Sequence, residues 1–78
     1  MARNTWWVEF GWTYNVKDTE TDKWEEEYDF EAQRFNCTKK QIPEEVRKYV
    51  EDEMKYVGEY KDLQIKITDK YITTDSEL

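Results

Sequence analysis

The chain has 78 residues, a formal net charge of −7, one cysteine and no histidine, and its aromatic residues are 4 Trp, 6 Tyr and 3 Phe. This length favours one domain, residues 1–78, whose aromatic side chains can fill a core without a disulfide or a metal ion. The acidic balance disfavours nucleic acid and anionic membrane as partners, and the lack of histidine excludes a His-activated nucleophile. A lone cysteine, no leader-like segment and no apolar run of membrane length predict a cytoplasmic protein.

The first predicted strand covers residues 5–16 and alternates between two kinds of side chain over its whole length. Strict alternation is typical of a β-strand with one buried face, and aromatic and β-branched residues suit such a strand. The even positions form the predicted core face: Trp6, Val8, Phe10, Trp12, Tyr14 and Val16. Because this segment is the most apolar in the chain, we expect it at the centre of a small sheet.

A polar segment, Lys17 to Asp22, predicts a hairpin loop that leads to a second strand at about 23–35. The even positions of this strand, which include Tyr28 and Phe30, are predicted to join the core. The odd positions carry four successive acids that we expect to face solvent: Glu25, Glu27, Asp29 and Glu31. Like charges on one face are unfavourable beside another acidic strand, so the second strand is predicted at a sheet edge.

One helix is predicted at about 43–57, because Pro43 suits a helix start, Gly58 suits a helix end, and apolar residues recur between them at helical spacing. A last strand is predicted at about 62–73, followed by a polar tail at 74–78. Its predicted inward residues are Leu63, Ile65, Ile67 and Tyr71, and its predicted outward residues are Gln64, Lys66, Thr68 and Lys70. The expected fold is α+β with element order ββαβ: a three-stranded, mainly antiparallel sheet of order 2-1-3 with the helix packed on one face.

The four acids of the second strand, here called the acidic ladder (Glu25, Glu27, Asp29 and Glu31), are the main candidate for a binding site. Alternate strand residues lie about 6.6–6.8 Å apart on one face. Successive phosphates lie roughly 7 Å apart along a nucleic-acid backbone, so the ladder could occupy a groove that normally holds such a backbone. Glu9, Glu20 and Asp22 are expected to extend the acidic surface. The alternative is an ordinary solvated edge strand that Lys66 and Lys70 neutralise.

Trp7 lies on the polar side of the first strand, out of phase with the predicted core face. A tryptophan that points outward beside acids is a candidate interface anchor. The alternative is that Trp7 covers part of the open face of the sheet together with Phe35 and Ile72, since isolated exposed aromatic residues are common.

Other motifs point away from metal binding and catalysis. Asp18, Glu20 and Asp22 resemble the opening of a calcium loop, but Lys23 stands where that loop needs glycine. Cys37 lies in a predicted loop and has no histidine to activate it. Paired carboxylates need a pocket that separates their pKa values, and a domain this small has little room for one. We therefore expect no catalytic residues, no metal, no cofactor and no enzyme activity.

The size, acidity and β-rich character of the chain are similar to those of small phage-encoded inhibitors that imitate nucleic acid. The resemblance is one of type, carried by no motif, and it transfers no residues. The uncompensated acidic ladder leads to the main hypothesis: a protein-binding module, an inhibitor that presents this ladder to a basic, nucleic-acid-binding partner in the cytoplasm. The other hypothesis is structural: a homodimer that assembles through free sheet edges or through Trp7.

Overall fold

The central strand of the sheet is the first strand in the chain. The computed structural model describes residues 4–73, and its main elements in chain order are β1 (Asn4–Lys17), β2 (Trp24–Cys37), α1 (Ile42–Met54) and β3 (Tyr60–Ile72). β1 pairs antiparallel with β2 on one side and with β3 on the other, so the strand order is β2-β1-β3. The predicted fold class, element order and strand order are confirmed. The predicted tail, 74–78, lies outside the described residues.

The hydrophobic core lies between α1 and one face of the sheet, here called the helix-side face. As predicted, the even residues of β1 supply most of this face, and Phe10 at its centre is fully buried. The Phe10 ring lies 5.8 Å from the Trp12 ring and 5.6 Å from the Tyr49 ring, between centroids. The buried residues of α1 recur at four-residue steps: Ile42, Val46, Val50 and Met54. This stripe is the apolar face that the helical spacing predicted.

Local hydrogen bonds fix both ends of α1. The Thr38 N–H donates to Oε1 of Gln41 at 3.0 Å, which closes a short 3₁₀ turn ahead of the helix. The helix ends at Met54, short of the predicted end at Val57, because the following N–H groups bond to carbonyls only three residues back, including Val57 N–H to Met54 O at 3.1 Å. Gly58 then adopts a φ of 93°, a left-handed conformation that glycine tolerates best. No helix within residues 4–73 is long and apolar enough to cross a membrane.

The predicted orientation of β2 is wrong. Residues that lie directly opposite each other in an antiparallel pair point to the same face. Phe10 pairs with Glu31, and Gly11 pairs with Phe30. The odd residues of β2 therefore share the helix-side face, while its even residues lie on the other face of the sheet, here called the open face. Tyr28 and Phe30 are accordingly 61% and 53% exposed instead of joining the core.

Two irregularities in β3 change which of its residues face inward. The register with β1 shifts between Glu9 and Phe10 and again between Thr13 and Asn15. At the second shift Asp62 takes a φ of 60°, and its carboxylate accepts a hydrogen bond from Asn15 Nδ2 at 3.0 Å. The residues that pack against the core are Leu63, Ile65 and Ile67, as predicted. The first shift reverses the phase beyond them, so Tyr71 lies opposite Trp7 on the open face and Lys70 lies opposite Val8 on the helix-side face.

Candidate acidic interaction surface

The acidic ladder lies on one face of an edge strand, but that face is the helix-side face. The register pairs Glu25 with Val16, Glu27 with Tyr14, Asp29 with Trp12 and Glu31 with Phe10. Glu25, Glu27 and Asp29 are exposed and Glu31 is half-buried. They can share a face with the core because α1 has 13 residues, about 20 Å of helix, whereas the 14 residues of β1 extend about 47 Å. The helix covers only part of the sheet.

Two tyrosine hydroxyl groups hold the inner half of the ladder. The Tyr14 hydroxyl donates to Oδ2 of Asp29 at 3.1 Å, and the Tyr49 hydroxyl donates to Oε2 of Glu31 at 2.8 Å. Gln33 Nε2 donates in turn to the Tyr49 oxygen at 3.0 Å. Burial raises the pKa of both phenols, and the hydrogen bond to the neighbouring carboxylate raises it further. Both tyrosines therefore stay neutral and keep donating at physiological pH.

Within the described part of the chain, no lysine or arginine forms an ion pair with a ladder carboxylate. Among residues 4–73, the ion pairs join other residues: two lie within α1, one links α1 to Lys55 just after it, and one links Lys17 to Asp22. Lys66 and Lys70 were the predicted neutralising groups, but both lie on β3, at the far edge of the sheet from β2. Neither predicted lysine therefore offsets the ladder.

Glu53 of α1 adds a carboxylate to this surface that the sequence prediction missed. It lines a shallow cavity of about 180 Å³ together with Asp29 and Glu31, and its charge also raises the pKa of Tyr49. The signal was present in the sequence, because Glu53 lies four residues after Tyr49 and so on the same side of the helix. Identifying it required knowing that this side of α1 faces β2.

The residues predicted to extend the ladder lie in different places. Glu9 pairs with Ala32 and Asp69 on the open face, so the prediction that it extends the acidic ladder is wrong. Asp22 lies in the hairpin loop, but its carboxylate forms an ion pair with Lys17 at 3.0 Å. Glu20 is exposed in the same loop, next to the end of the sheet where the ladder begins.

Trp7 is out of phase with the core, as predicted, but it does not lie beside the ladder. Its neighbours across the open face are Arg34 on β2 and Tyr71 on β3, and the Arg34 guanidinium lies 5.9 Å from the Trp7 ring centroid. Phe35 and Ile72, the predicted neighbours, pair with Trp6 on the helix-side face instead. Any role of Trp7 as an anchor therefore belongs to a different surface from the ladder.

The segment that resembles a calcium loop is a hairpin turn whose first carboxylate is already occupied. Oδ1 of Asp18 accepts hydrogen bonds from the backbone N–H groups of Glu20 at 2.7 Å and Thr21 at 3.3 Å. Within residues 4–73 no cluster of three or more Asp, Glu, Cys or His side chains is arranged to hold a metal ion. Cys37 is fully buried at the end of β2 and does not lie in an exposed loop.

Comparison of the chain with protein-family models, with curated protein sequences and with solved structures finds no match.

Proposed function

We propose that this chain is a small acidic binding module that inserts its acidic ladder into a basic groove of a nucleic-acid-binding protein and inhibits that protein by occupying the groove. The proposed role is binding without catalysis, in the cytoplasm together with the partner. The observation that supports the proposal is a row of four carboxylates on one face of an edge strand, with no cation paired to any of them within residues 4–73.

The spacing of the ladder suits such a groove. Its side chains repeat at about 6.8 Å, and the phosphates of one nucleic-acid strand repeat at roughly 7 Å along the backbone path. Lysine and arginine side chains that normally contact successive phosphates could therefore contact successive carboxylates. Phage-encoded inhibitors that imitate nucleic acid act on such grooves, and this chain is similar to them in size and acidity.

The inner and outer halves of the ladder would contribute differently. Tyr14 and Tyr49 hold Asp29 and Glu31 in place before any partner binds, so little side-chain entropy is lost when those two carboxylates are bound. Glu25 and Glu27 are exposed and make no side-chain hydrogen bond or ion pair within the described part of the chain. These outer carboxylates supply long-range attraction, which speeds association and weakens as salt rises.

The proposal is tested by affinity capture from nuclease-treated lysate of the source cell at low and high salt. We expect a nucleic-acid-binding protein to be captured at low salt and released at high salt. The purified partner should then lose its labelled oligonucleotide when the module is added. Capture of proteins with no nucleic-acid-binding activity, or binding that is indifferent to salt, would contradict the proposal.

A matched pair of variants separates the ladder from general acidity. Glu27→Lys reverses a charge in the ladder, whereas Glu26→Lys makes the same change one residue away on the open face. Neither carboxylate takes part in a side-chain hydrogen bond within residues 4–73, so both variants should fold. We expect Glu27→Lys, alone or with Glu25→Lys, to weaken partner binding at least about tenfold, since each ion pair lost to a buried groove costs 1.4 kcal/mol or more. If Glu26→Lys and Glu27→Lys weakened partner binding equally, the affinity would depend on net charge alone and not on the ladder.

A further inference from the structure

The open face of the sheet has a charge pattern unlike that of the rest of the chain. Its residues come from all three strands, and α1 packs on the opposite side. Within residues 4–73 this face carries four cations and four carboxylates, although the chain as a whole has a net charge of −7. The cations are Lys17, Arg34, Lys61 and Lys66, and the carboxylates are Glu9, Glu26, Asp69 and Asp62, the last through its hydrogen bond from the Asn15 amide. It is therefore a face on which two acidic chains can meet without strong repulsion.

The same face exposes large aromatic side chains. Tyr28 and Phe30 on β2 and Tyr71 on β3 are each about half exposed, at 61%, 53% and 48%. Gly11 between them has no side chain, and the Tyr28 ring lies over it: a Cβ built on Gly11 would lie 2.7 Å from the Tyr28 hydroxyl oxygen. Aromatic residues on a face that is otherwise evenly charged are typical of the centre of a protein interface.

We propose that the open face binds the open face of a second copy of this chain. The two copies are related by a two-fold axis that lies midway between the sheets, perpendicular to the strands, at the level of Trp12. Each strand then faces its own counterpart, running in the opposite direction. Phe30 faces Tyr28 of the second copy, Trp7 faces Lys17, and Asp69 faces Lys61. The two sheets pack as in an aligned β-sandwich, about 10 Å apart.

Charge complementarity favours this axis over the two adjacent positions on β1 and over an axis parallel to the strands. Moving the axis to Gly11 places Lys66 against Lys66 of the second copy, and moving it to Thr13 places Lys66 against Lys61. An axis parallel to the strands places Glu9 against Glu9 and Lys17 against Lys17. With the axis at Trp12, Lys66 faces the uncharged Gln64, and no like-charged residues of the paired register lie opposite each other. Glu9 faces Asn15, whose amide is bonded to Asp62.

The area of the face is sufficient for a specific dimer. Three strands about 4.8 Å apart and about 45 Å long present roughly 600 Å² per copy, or roughly 1,200 Å² in total, which is the lower end of the range for specific interfaces. A nucleic-acid strand would be the other ligand suited to exposed aromatic residues and lysines. The second copy is favoured because the carboxylates of this face repel phosphates, whereas on a second copy Asp69 faces Lys61 and Glu26 faces Ala32.

The pair formed by Asp69 and Lys61 allows a decisive test, because the two residues are far apart within one chain. They lie opposite Glu9 and Asn15, which are about 20 Å apart along β1. Sedimentation should detect dimers over about 1–500 μM. We expect Lys61→Glu and Asp69→Lys each to weaken dimerisation at least about tenfold, since each change places two like-charge pairs in the interface. The double variant Lys61→Glu/Asp69→Lys should restore it.

Restoration cannot arise within one chain. Lys61 lies 4.3 Å from the Trp24 ring centroid, and Oδ1 of Asp69 accepts the Lys70 N–H at 2.8 Å, so the double variant loses both contacts. Lys40→Glu, an exposed change outside the sheet, is the charge-matched control and should dimerise normally. Near-ultraviolet circular dichroism checks that each variant is folded.

Two sedimentation results would overturn the proposal. One is a wild-type chain that is monomeric at 500 μM, about the top of the range, and the other is a double variant that dimerises no more tightly than the single variants. A monomer that binds labelled oligothymidylate through Tyr28 and Phe30 would also overturn it, and would assign the face to nucleic acid.

Discussion

Replacing Tyr49 by phenylalanine removes one hydroxyl group at the junction between α1 and the acidic ladder. The ring keeps its edge-to-face contacts with Phe10 and Phe35, whose centroids lie 5.6 and 6.2 Å away. The hydroxyl donates to Oε2 of Glu31 at 2.8 Å and accepts from Nε2 of Gln33 at 3.0 Å. The substitution therefore removes two hydrogen bonds without creating a cavity.

We expect Tyr49→Phe to lower the free energy of unfolding by about 1–2 kcal/mol. A hydrogen bond to a charged group contributes about 1.5–3 kcal/mol, and the lower part of this range applies because both partners are partly exposed. Gln33 still donates to Glu31 at 3.4 Å in the variant, which limits the loss. For a chain of this size the melting temperature should fall by about 4–15 °C. Tyr56→Phe is the matched control, because Tyr56 is 85% exposed and its loss should change stability by less than about 0.5 kcal/mol.

The difference between the wild type and Tyr49→Phe should also depend on pH. Burial, followed by the hydrogen bond to Glu31, raises the pKa of Tyr49 above its ordinary value of 10.0. The neutral phenol is thus favoured in the folded state. Its contribution to the free energy of unfolding is fully present below pH 10 and is lost as the pH rises through the pKa of Tyr49 in the folded protein. In that window the wild type loses folding stability that Tyr49→Phe does not lose, at a rate that cannot exceed about 1.4 kcal/mol per pH unit.

Urea unfolding followed by tryptophan fluorescence at neutral pH and at several values above pH 10 measures both effects. The gap between wild type and Tyr49→Phe should be constant up to the ordinary phenol pKa and should narrow above it. A variant as stable as the wild type at neutral pH, or a gap that widens in alkali, would refute the assignment of Tyr49 as a neutral donor to Glu31.

Three further predictions concern the core, the buried thiol and the irregularity in β3. Ile42→Ala should lower the free energy of unfolding by about 2–5 kcal/mol in a urea titration, because Ile42 is fully buried; a loss below about 1 kcal/mol would contradict that packing. Cys37 is also fully buried, so a thiol reagent should label it only in urea, and rapid labelling of the folded chain would place it at the surface. Asp62→Val should destabilise the chain more than Asp62→Gly, since valine is strained at a φ of 60°, and equal melting temperatures would show that β3 can relax there.

The topology was predictable from sequence because β1 alone carries both strict alternation and the largest apolar side chains. A strand of this kind must be covered on one face and paired on both edges, which determines the strand order. The length of the hairpin loop also predicts which residues of β2 face the core. The predicted loop from Lys17 to Asp22 has an even number of residues, and such a loop pairs even positions of one strand with odd positions of the next. The apolar appearance of Tyr28 and Phe30 suggested the opposite orientation.

The remaining errors concern interactions between elements that are distant in sequence. Asp29 and Glu31 tolerate the helix-side face because Tyr14 and Tyr49 donate to them, and neither pairing is visible from spacing along the chain. Tyr71 lies on the open face because the register of β3 with β1 shifts between Glu9 and Phe10, and no glycine or proline in β3 indicates this shift. The ladder was therefore correctly grouped on one face and one edge strand, but assigned to the wrong side of the sheet.

The position of β1 has a kinetic consequence. β1 and β2 are joined by a short loop and can pair early, whereas β1 and β3 are separated by residues 18 to 59. Closing that long segment costs chain entropy before the second edge of β1 is satisfied, so docking of β3 should limit the folding rate. Until β3 docks, the hairpin exposes an unpaired edge of the most aromatic strand, and refolding at high concentration should lead to aggregation from that edge.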